Sequence, residues 1–377
     1  MTSKLFSPIR LARLDVPNRL VVSPMCQYSA DDGSATSWHL AHFGVLSASG
    51  AGALILEATA VERIGRITHG DLGLYSDENE AALVRVIAHC RAHGFARLGI
   101  QLSHAGRKAS AQKPWEGGKA LAGGEPRWAT IAPSALPFAD GWHTPNAMSG
   151  ADLERVRKAH AEATVRALRL GFDLVEIHAA HGYLLHQFLS AVSNRRTDDY
   201  GGSLENRLRY PLEVIRAVRE AWPKERPLGV RITGQDWLEG GIEIEEAIRF
   251  AKALKSIGVD YVCVTSGGLT ATAVLKIGPG YQTDLATTVK REAGIATRAV
   301  GLIATPQQAE SILADGKADM VALARAFLDN PHWGWQAARA LNADVMRPVQ
   351  YQRAAPEVWP GAAYTETLEK PLPAVAE

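Results

Sequence analysis

Short apolar runs alternate with longer amphipathic stretches along nearly the whole of this 377-residue chain, and that alternation leaves few folds open. A run of β-forming residues followed by a helical pattern is a strand with its crossover helix, and repeating the unit builds a parallel sheet. Strands are expected at residues 20–23, 53–57, 98–102, 174–177, 228–232, 261–264, 298–300 and 320–323. Helices are expected at 38–47, 79–93, 150–170, 204–221, 244–257, 285–293, 306–314 and 331–341. Eight such units predict an α/β fold closed into a (β/α)8 barrel, whose functional groups gather where strands end and loops begin. A doubly wound open sheet is the rival. It calls for a Gly-rich turn after the first strand, and Ser23-Pro24-Met25-Cys26 has none.

The barrel is expected to occupy residues 1–345 as one domain, with a small hairpin at 8–17 closing its bottom. The connection 104–148 is too long to be passive and reads as a functional loop or lid. Residues 346–377 read as a C-terminal arm or tail, because 354–377 carries Pro356, Pro360, Pro371 and Pro373 without periodicity. A formal net charge of +1 gives no reason to expect nucleic acid or a membrane surface as partner. Residues 1–10 lack the apolar core of a signal peptide, and the expected location is the cytoplasm. Cys26, Cys90 and Cys263 are too scattered for a disulfide framework or a metal cluster.

One stretch concentrates proton-active side chains. Glu176-Ile177-His178-Ala179-Ala180-His181-Gly182-Tyr183 puts two imidazoles and a phenol directly behind the fourth strand. Neutral imidazoles can donate hydrogen bonds to an oxygen that gains negative charge, and a phenol can deliver a proton without ionising first. That chemistry suits an enolate. Two other readings stay open at this point: a metal site of His-x-x-His with Glu176, or histidines satisfied as ordinary rim groups. Against the metal, Glu176 is expected on the opposite face of the strand.

The remaining strand ends contribute Pro24 to Tyr28, Ala58, Gln101, Arg231, Ser266-Gly267-Gly268, Gly301 and Ala324-Arg325. No pair of carboxylates stands among them, which disfavours glycosidase and magnesium-dependent chemistry. The donors after strands six to eight instead suit a phosphate-bearing cofactor.

Several long motifs support a named resemblance: Ser23-Pro24-Met25-Cys26-Gln27-Tyr28, Glu57-Ala58-Thr59-Ala60, Gln101-Leu102-Ser103-His104-Ala105-Gly106-Arg107-Lys108, His178 to Tyr183, and Asn194 to Arg207. In order, over about residues 5–353, the chain resembles the old yellow enzyme family of FMN-dependent ene-reductases, and within it the thermophilic-like subclass that includes xenobiotic reductases. The resemblance implies NADPH or NADH as hydride donor and an activated alkene, such as an enone, enal or nitroalkene, as acceptor. FMN is then expected against Pro24, Met25, Cys26, Ala58, Gln101, Arg231, Ser266, Gly267, Gly301, Ala324 and Arg325. His178 and His181 are expected to hold the substrate carbonyl while hydride passes from flavin N5 to the β carbon, and Tyr183 to protonate the α carbon. Tyr28 and Ile67 match substrate-pocket positions. Arg353 matches an arginine that reaches a neighbouring active site, which implies a homodimer or a dimer of dimers. Arg107 and Lys108 either border the flavin or form a solvated basic pair. Ala324 departs from the family's usual glycine, so the phosphate turn must suit a side chain there.

Overall fold

A computed structural model describes residues 3–122 and 126–362. The chain opens with the antiparallel hairpin β1 (Ile9–Leu11) and β2 (Leu14–Val16), then β3 (Leu20–Val22), α1 (Ser37–Ser47), β4 (Ala53–Ala60), α2 (Asp77–His93) and β5 (Arg97–Ser103). A two-residue pair, β6 (Ile131–Ala132) with β7 (Asn146–Ala147), lies inside the long connection before α3 (Gly150–Arg169). Next come β8 (Leu174–Ala179), α4 (Leu184–Leu189), α5 (Leu204–Ala221), β9 (Leu228–Thr233), α6 (Ile244–Ser256) and β10 (Tyr261–Thr265). The series ends with α7 (Thr283–Ala293), β11 (Ala296–Ala299), α8 (Pro306–Ala314), β12 (Met320–Leu323), α9 (Arg325–Asp329) and α10 (Trp333–Ala340).

The eight expected strands close into one parallel barrel in the order β3-β4-β5-β8-β9-β10-β11-β12. Helices α2, α3 and α5 start on serine caps: Ser76, Ser149 and Ser203 each accept the N–H three residues ahead. Such a cap satisfies a donor that the first helical turn leaves free. Sequence placed most elements within a few residues. It missed α4 and α9, which are only five or six residues long, and the β6–β7 pair, which is too short to show a period.

The barrel interior follows the two-residue alternation of its strands. Leu11 and Val16 of the hairpin pack with Val21, Ala53, Ile55, Leu174, Tyr261 and Met320, so the hairpin plugs the bottom as expected. Above this layer sits a buried polar one. Glu176 accepts hydrogen bonds from Tyr261 Oη at 2.9 Å, Gln101 Nε2 at 2.8 Å and the Arg298 guanidinium. A Cβ at position 229 would lie 2.1 Å from the Tyr261 ring, so Gly229 makes room for that tyrosine to reach Glu176. Removing one member of such a buried ion pair costs roughly 3–5 kcal/mol.

This layer corrects one expectation. Glu176 and His178 are two residues apart and therefore share a strand face. Both point inward, and Glu176 is held by Arg298 and Tyr261. Among the described residues, no helix is long and apolar enough to cross a membrane.

Candidate active site

Every barrel strand delivers an expected residue to the mouth. Pro24, Met25 and Cys26 follow β3, Ala58 lies on β4, Gln101 on β5, His178 on β8 and Arg231 on β9. Ser266 follows β10, Gly301 follows β11, and Ala324 and Arg325 follow β12. Register brings neighbours together: Ala58 pairs with Gln101, Gln101 with Glu176, and His178 with Arg231. A shift in the β4–β5 pairing between Leu56 and Ala58 re-aims the strand at the point where it meets the mouth.

Support from behind sets the first loop. Glu57 is fully buried, accepts the Gln27 N–H at 2.9 Å and lies 3.4 Å from His39 Nε2. Gln27 in turn donates to the Met25 carbonyl at 2.9 Å. Burial, then Asp71 and Glu57, push the Cys26 thiol well above its ordinary range, while the Ala58 N–H bonds it. The thiol is therefore held protonated, and a nucleophilic thiolate is disfavoured. Tyr28 has φ +51° and stacks edge-on to Trp115, with 5.8 Å between ring centroids. Ile67 is half-buried, its N–H held by Asp71 at 2.7 Å.

The histidine pair carries a readable proton order. The Ala180 N–H donates to His178 Nδ1 at 3.2 Å, so the proton of that ring is on Nε2. At the other end, Thr265 Oγ1 donates to Gln282 Oε1 at 2.8 Å and accepts from His181 Nε2 at 2.9 Å. The His178 Nε2–H accordingly points at His181 Nδ1, 3.3 Å away. Burial, then Arg231, holds both imidazoles well below their ordinary pKa, and so neutral. The two rings expected to hold a carbonyl thus form a chain of neutral imidazoles, with each N–H already engaged.

Tyr183 packs edge-on to His178, with centroids 4.8 Å apart. Burial pushes its phenol well above the usual range, which keeps the proton in place. Gly182, at φ +73°, could carry no side chain, since a Cβ would lie 2.2 Å from the Gly268 carbonyl. His186, paired with Asp236 at 3.1 Å, accepts the Gly182 N–H at 2.7 Å and fixes the same turn.

Sequence reasoning did not find Thr265, Gln282 or His186, because their roles come from packing across strands. It left Arg107 and Lys108 undecided, and the structure removes the solvated-pair reading. Arg107 is buried and donates to the Leu269 carbonyl at 2.9 Å. Lys108 Nζ donates to the carbonyls of His181 at 2.9 Å and Gly268 at 3.0 Å, and lies 5.1 Å from the centre of the Tyr183 ring. His181 has φ +56°, uncommon for a histidine, and the lysine bonds its carbonyl.

Burial, then Arg107, lowers Lys108 from 10.5 to about 8. The unfolded chain therefore binds more protons between these values. Burying the ammonium costs stability below about pH 8, and stability is recovered as pH rises through that window. The active site moves the other way. Above about pH 8 the charge beside Tyr183 is lost, so turnover should fall in the wild type. Lys108→Met should lower the plateau and remove that inflection. A pH–rate profile of the two proteins checks it, and an inflection unchanged in the variant would assign it elsewhere.

On the far side of the mouth a cleft of about 680 Å³ is lined by Arg231, Ser266, Gly301, Ala324 and Arg325, among others. Gly301 has φ +107°, and a Cβ there would lie 2.4 Å from Gln282 Nε2. Ala324 has a negative φ, −113°, so the position does not call for the left-handed backbone that favours glycine. Gly267, at φ +71°, lies beside the cleft against Leu275. Among the described residues the Arg231 Nε is buried without a hydrogen-bond partner, as suits a cation kept for a bound group. These residues fit FMN: backbone and arginine donors for a phosphate, an amide and a cation for the ring. Arg353 stands apart. It lies on the short 3-10 turn Val349–Ala354, exposed, and the part of the arm beyond residue 362 is outside the described residues.

A (β/α)8 barrel with this mouth defines a class, the flavin-dependent barrel oxidoreductases. The chain belongs to the NADH:flavin oxidoreductase / NADH oxidase family, whose model matches residues 4–344. This is the old yellow enzyme family of the resemblance, so the protein is an FMN oxidoreductase that takes hydride from a nicotinamide. It is 44% identical over 355 residues to an NADPH dehydrogenase of Geobacillus sp. (strain WCH70), covering 94% of this chain and 99% of that one. An NADPH dehydrogenase of Listeria innocua is also 44% identical, covering 93% of this chain and 99% of the relative. Among solved structures, morphinone reductase superposes with a TM-score of 0.75 at 29% identity, covering 92% of each chain. A 2-naphthoyl-CoA reductase superposes with a TM-score of 0.79 at 25% identity, over 89% of this chain and 52% of that longer one.

Proposed function

We infer that the protein reduces the activated C=C bond of α,β-unsaturated carbonyl and nitro compounds, with NADPH or NADH as donor. The observation that carries this is the meeting of two neutral imidazoles, a protonated phenol and a half-buried ammonium beside Arg231. FMN, when bound and reduced, supplies the hydride. Pro24, Met25, Cys26, Ala58, Gln101 and Arg231 would hold its ring, and Ser266, Gly267, Gly301, Ala324 and Arg325 its phosphate.

The chain's own residues do the rest. The substrate oxygen enters between the histidines and replaces their N–H···N contact. His178 donates its Nε2–H to that oxygen, and His181 turns its N–H from Thr265 to the same atom. Charge that develops on the oxygen is met by donors already in place. Tyr183 gives its proton to the α carbon, and the Lys108 ammonium steadies the phenolate it leaves. Tyr28 and Ile67 bound the substrate, and Cys26 tunes the site without attacking it.

Arg353 completes the site of a neighbouring subunit in a homodimer or dimer of dimers. Exposure of Met346, Val349 and Tyr351 along the same arm supports a partner covering it. The decisive experiment is direct. The purified protein should show a bound-flavin absorption band and should oxidise NADPH or NADH anaerobically in the presence of cyclohexenone. A yellow protein that consumes no nicotinamide with any enone or nitroalkene would overturn the proposed reaction.

A further inference from the structure

The buried polar layer beneath the mouth has no part in the mechanism so far, yet it touches a residue that does. Gln101 Nε2 donates to Glu176 Oε1 at 2.8 Å. The other carboxylate oxygen, Oε2, accepts from Tyr261 Oη at 2.9 Å and from Arg298. Glu176 is 0% exposed, Gln101 and Arg298 1% each. A carboxylate paired with a guanidinium only accepts, so the group of Gln101 that meets it must be the NH2. The amide oxygen is then turned away from Glu176. We propose that Glu176 is a positioning residue that sets the Gln101 carboxamide with its oxygen toward the barrel mouth, as the acceptor for the N3–H of the flavin pyrimidine.

The inference rests on the placement of FMN proposed above. Three neighbours enforce the orientation. Tyr261 and Arg298 together saturate Oε2 with donors, and Gly229 leaves the space that lets Tyr261 do so. Free rotation of the Gln101 amide would present a donor to N3–H as often as an acceptor. Opposed N–H groups in a buried site lose a bond on both sides. Locking the amide therefore gives the mouth a preference for a ring with a donor at that edge.

Glu176→Gln makes the test specific. The new amide has one oxygen, and two donors at the Oε2 position claim it. Its NH2 then faces Gln101, whose own oxygen must turn inward to meet it, which leaves the Gln101 NH2 toward the mouth. Arg298→Lys, by contrast, gives up the guanidinium fork but keeps the cation that holds Glu176 as a carboxylate, so Glu176 still accepts from both Gln101 and Tyr261.

Holoenzyme reconstituted with 15N-labelled FMN gives the readouts, alongside FMN affinity measured by fluorescence titration of flavin-stripped protein. In the wild type the N3 proton should be visible and protected from exchange with water. Glu176→Gln should lose that protection and bind FMN about tenfold or more weakly. Arg298→Lys should keep both properties within about threefold despite a lower melting temperature. Wild-type affinity and N3 resonance in Glu176→Gln, or an equal loss in Arg298→Lys, overturns the proposal. If Glu176→Gln does not fold, the wild type alone decides: an N3 proton exchanging as fast as in free FMN overturns it. Failure of the wild type to bind FMN at all would instead mark failure of the cofactor placement, and the proposal with it.

Discussion

Tyr183→Phe should slow reoxidation of the reduced flavin by an enone by roughly 10²–10⁴-fold, the usual worth of a positioned general acid. Reduction by NADPH should change by no more than a few-fold. The asymmetry follows from the site. The phenol keeps its proton because it is buried, and it stands edge-on to His178, the first candidate to hold the substrate oxygen. A proton from this position reaches a carbon next to the one that bears that oxygen. Phenylalanine keeps the ring, the edge-on contact and the nearby Lys108 cation, so the comparison isolates the hydroxyl. Stopped-flow measurement of the two half-reactions checks it. Equal slowing of both would refute the proton-donor role and point to a change in how the flavin sits.

The second large effect belongs to the histidines. Replacing His178 and His181 together by alanine should reduce enone turnover by about 10³-fold or more, on the scale of losing an oxyanion donor, while the flavin band persists. The single variants should each cost most of that, because the rings share one chain of hydrogen bonds from Ala180 to Gln282. Residues that act as a unit are not additive. Steady-state reduction of cyclohexenone, with the absorption spectrum of each variant recorded beside it, provides the measurement. Single losses that sum in free energy to the double would show two independent contacts, and unchanged turnover in the double would remove the clamp.

How far these groups were legible in the sequence depends on what each one needs. His178, His181 and Tyr183 lie within six consecutive residues behind a strand, so local order alone brings them together. The residues of the cleft lie at the ends of successive strands, and the barrel gathers them by rule. Lys108 could not be told from a solvated lysine, since its partners are carbonyls of His181 and Gly268. Glu176 was assigned the wrong face although the two-residue period with His178 was readable, and its partners Tyr261 and Arg298 lie 85 and 122 residues further on.

By itself, the sequence determined the eight-unit alternation, the caps that start several helices, and the cluster at the end of β8. Each rests on interactions among near neighbours in the chain, where period, capping chemistry and turn preference act directly. Only the tertiary structure decided which protons the histidines carry, what Lys108 holds, and which way the Gln101 amide turns. Those depend on donors and acceptors that meet across the barrel, and a buried polar group takes its state from whichever partner the closed fold puts beside it.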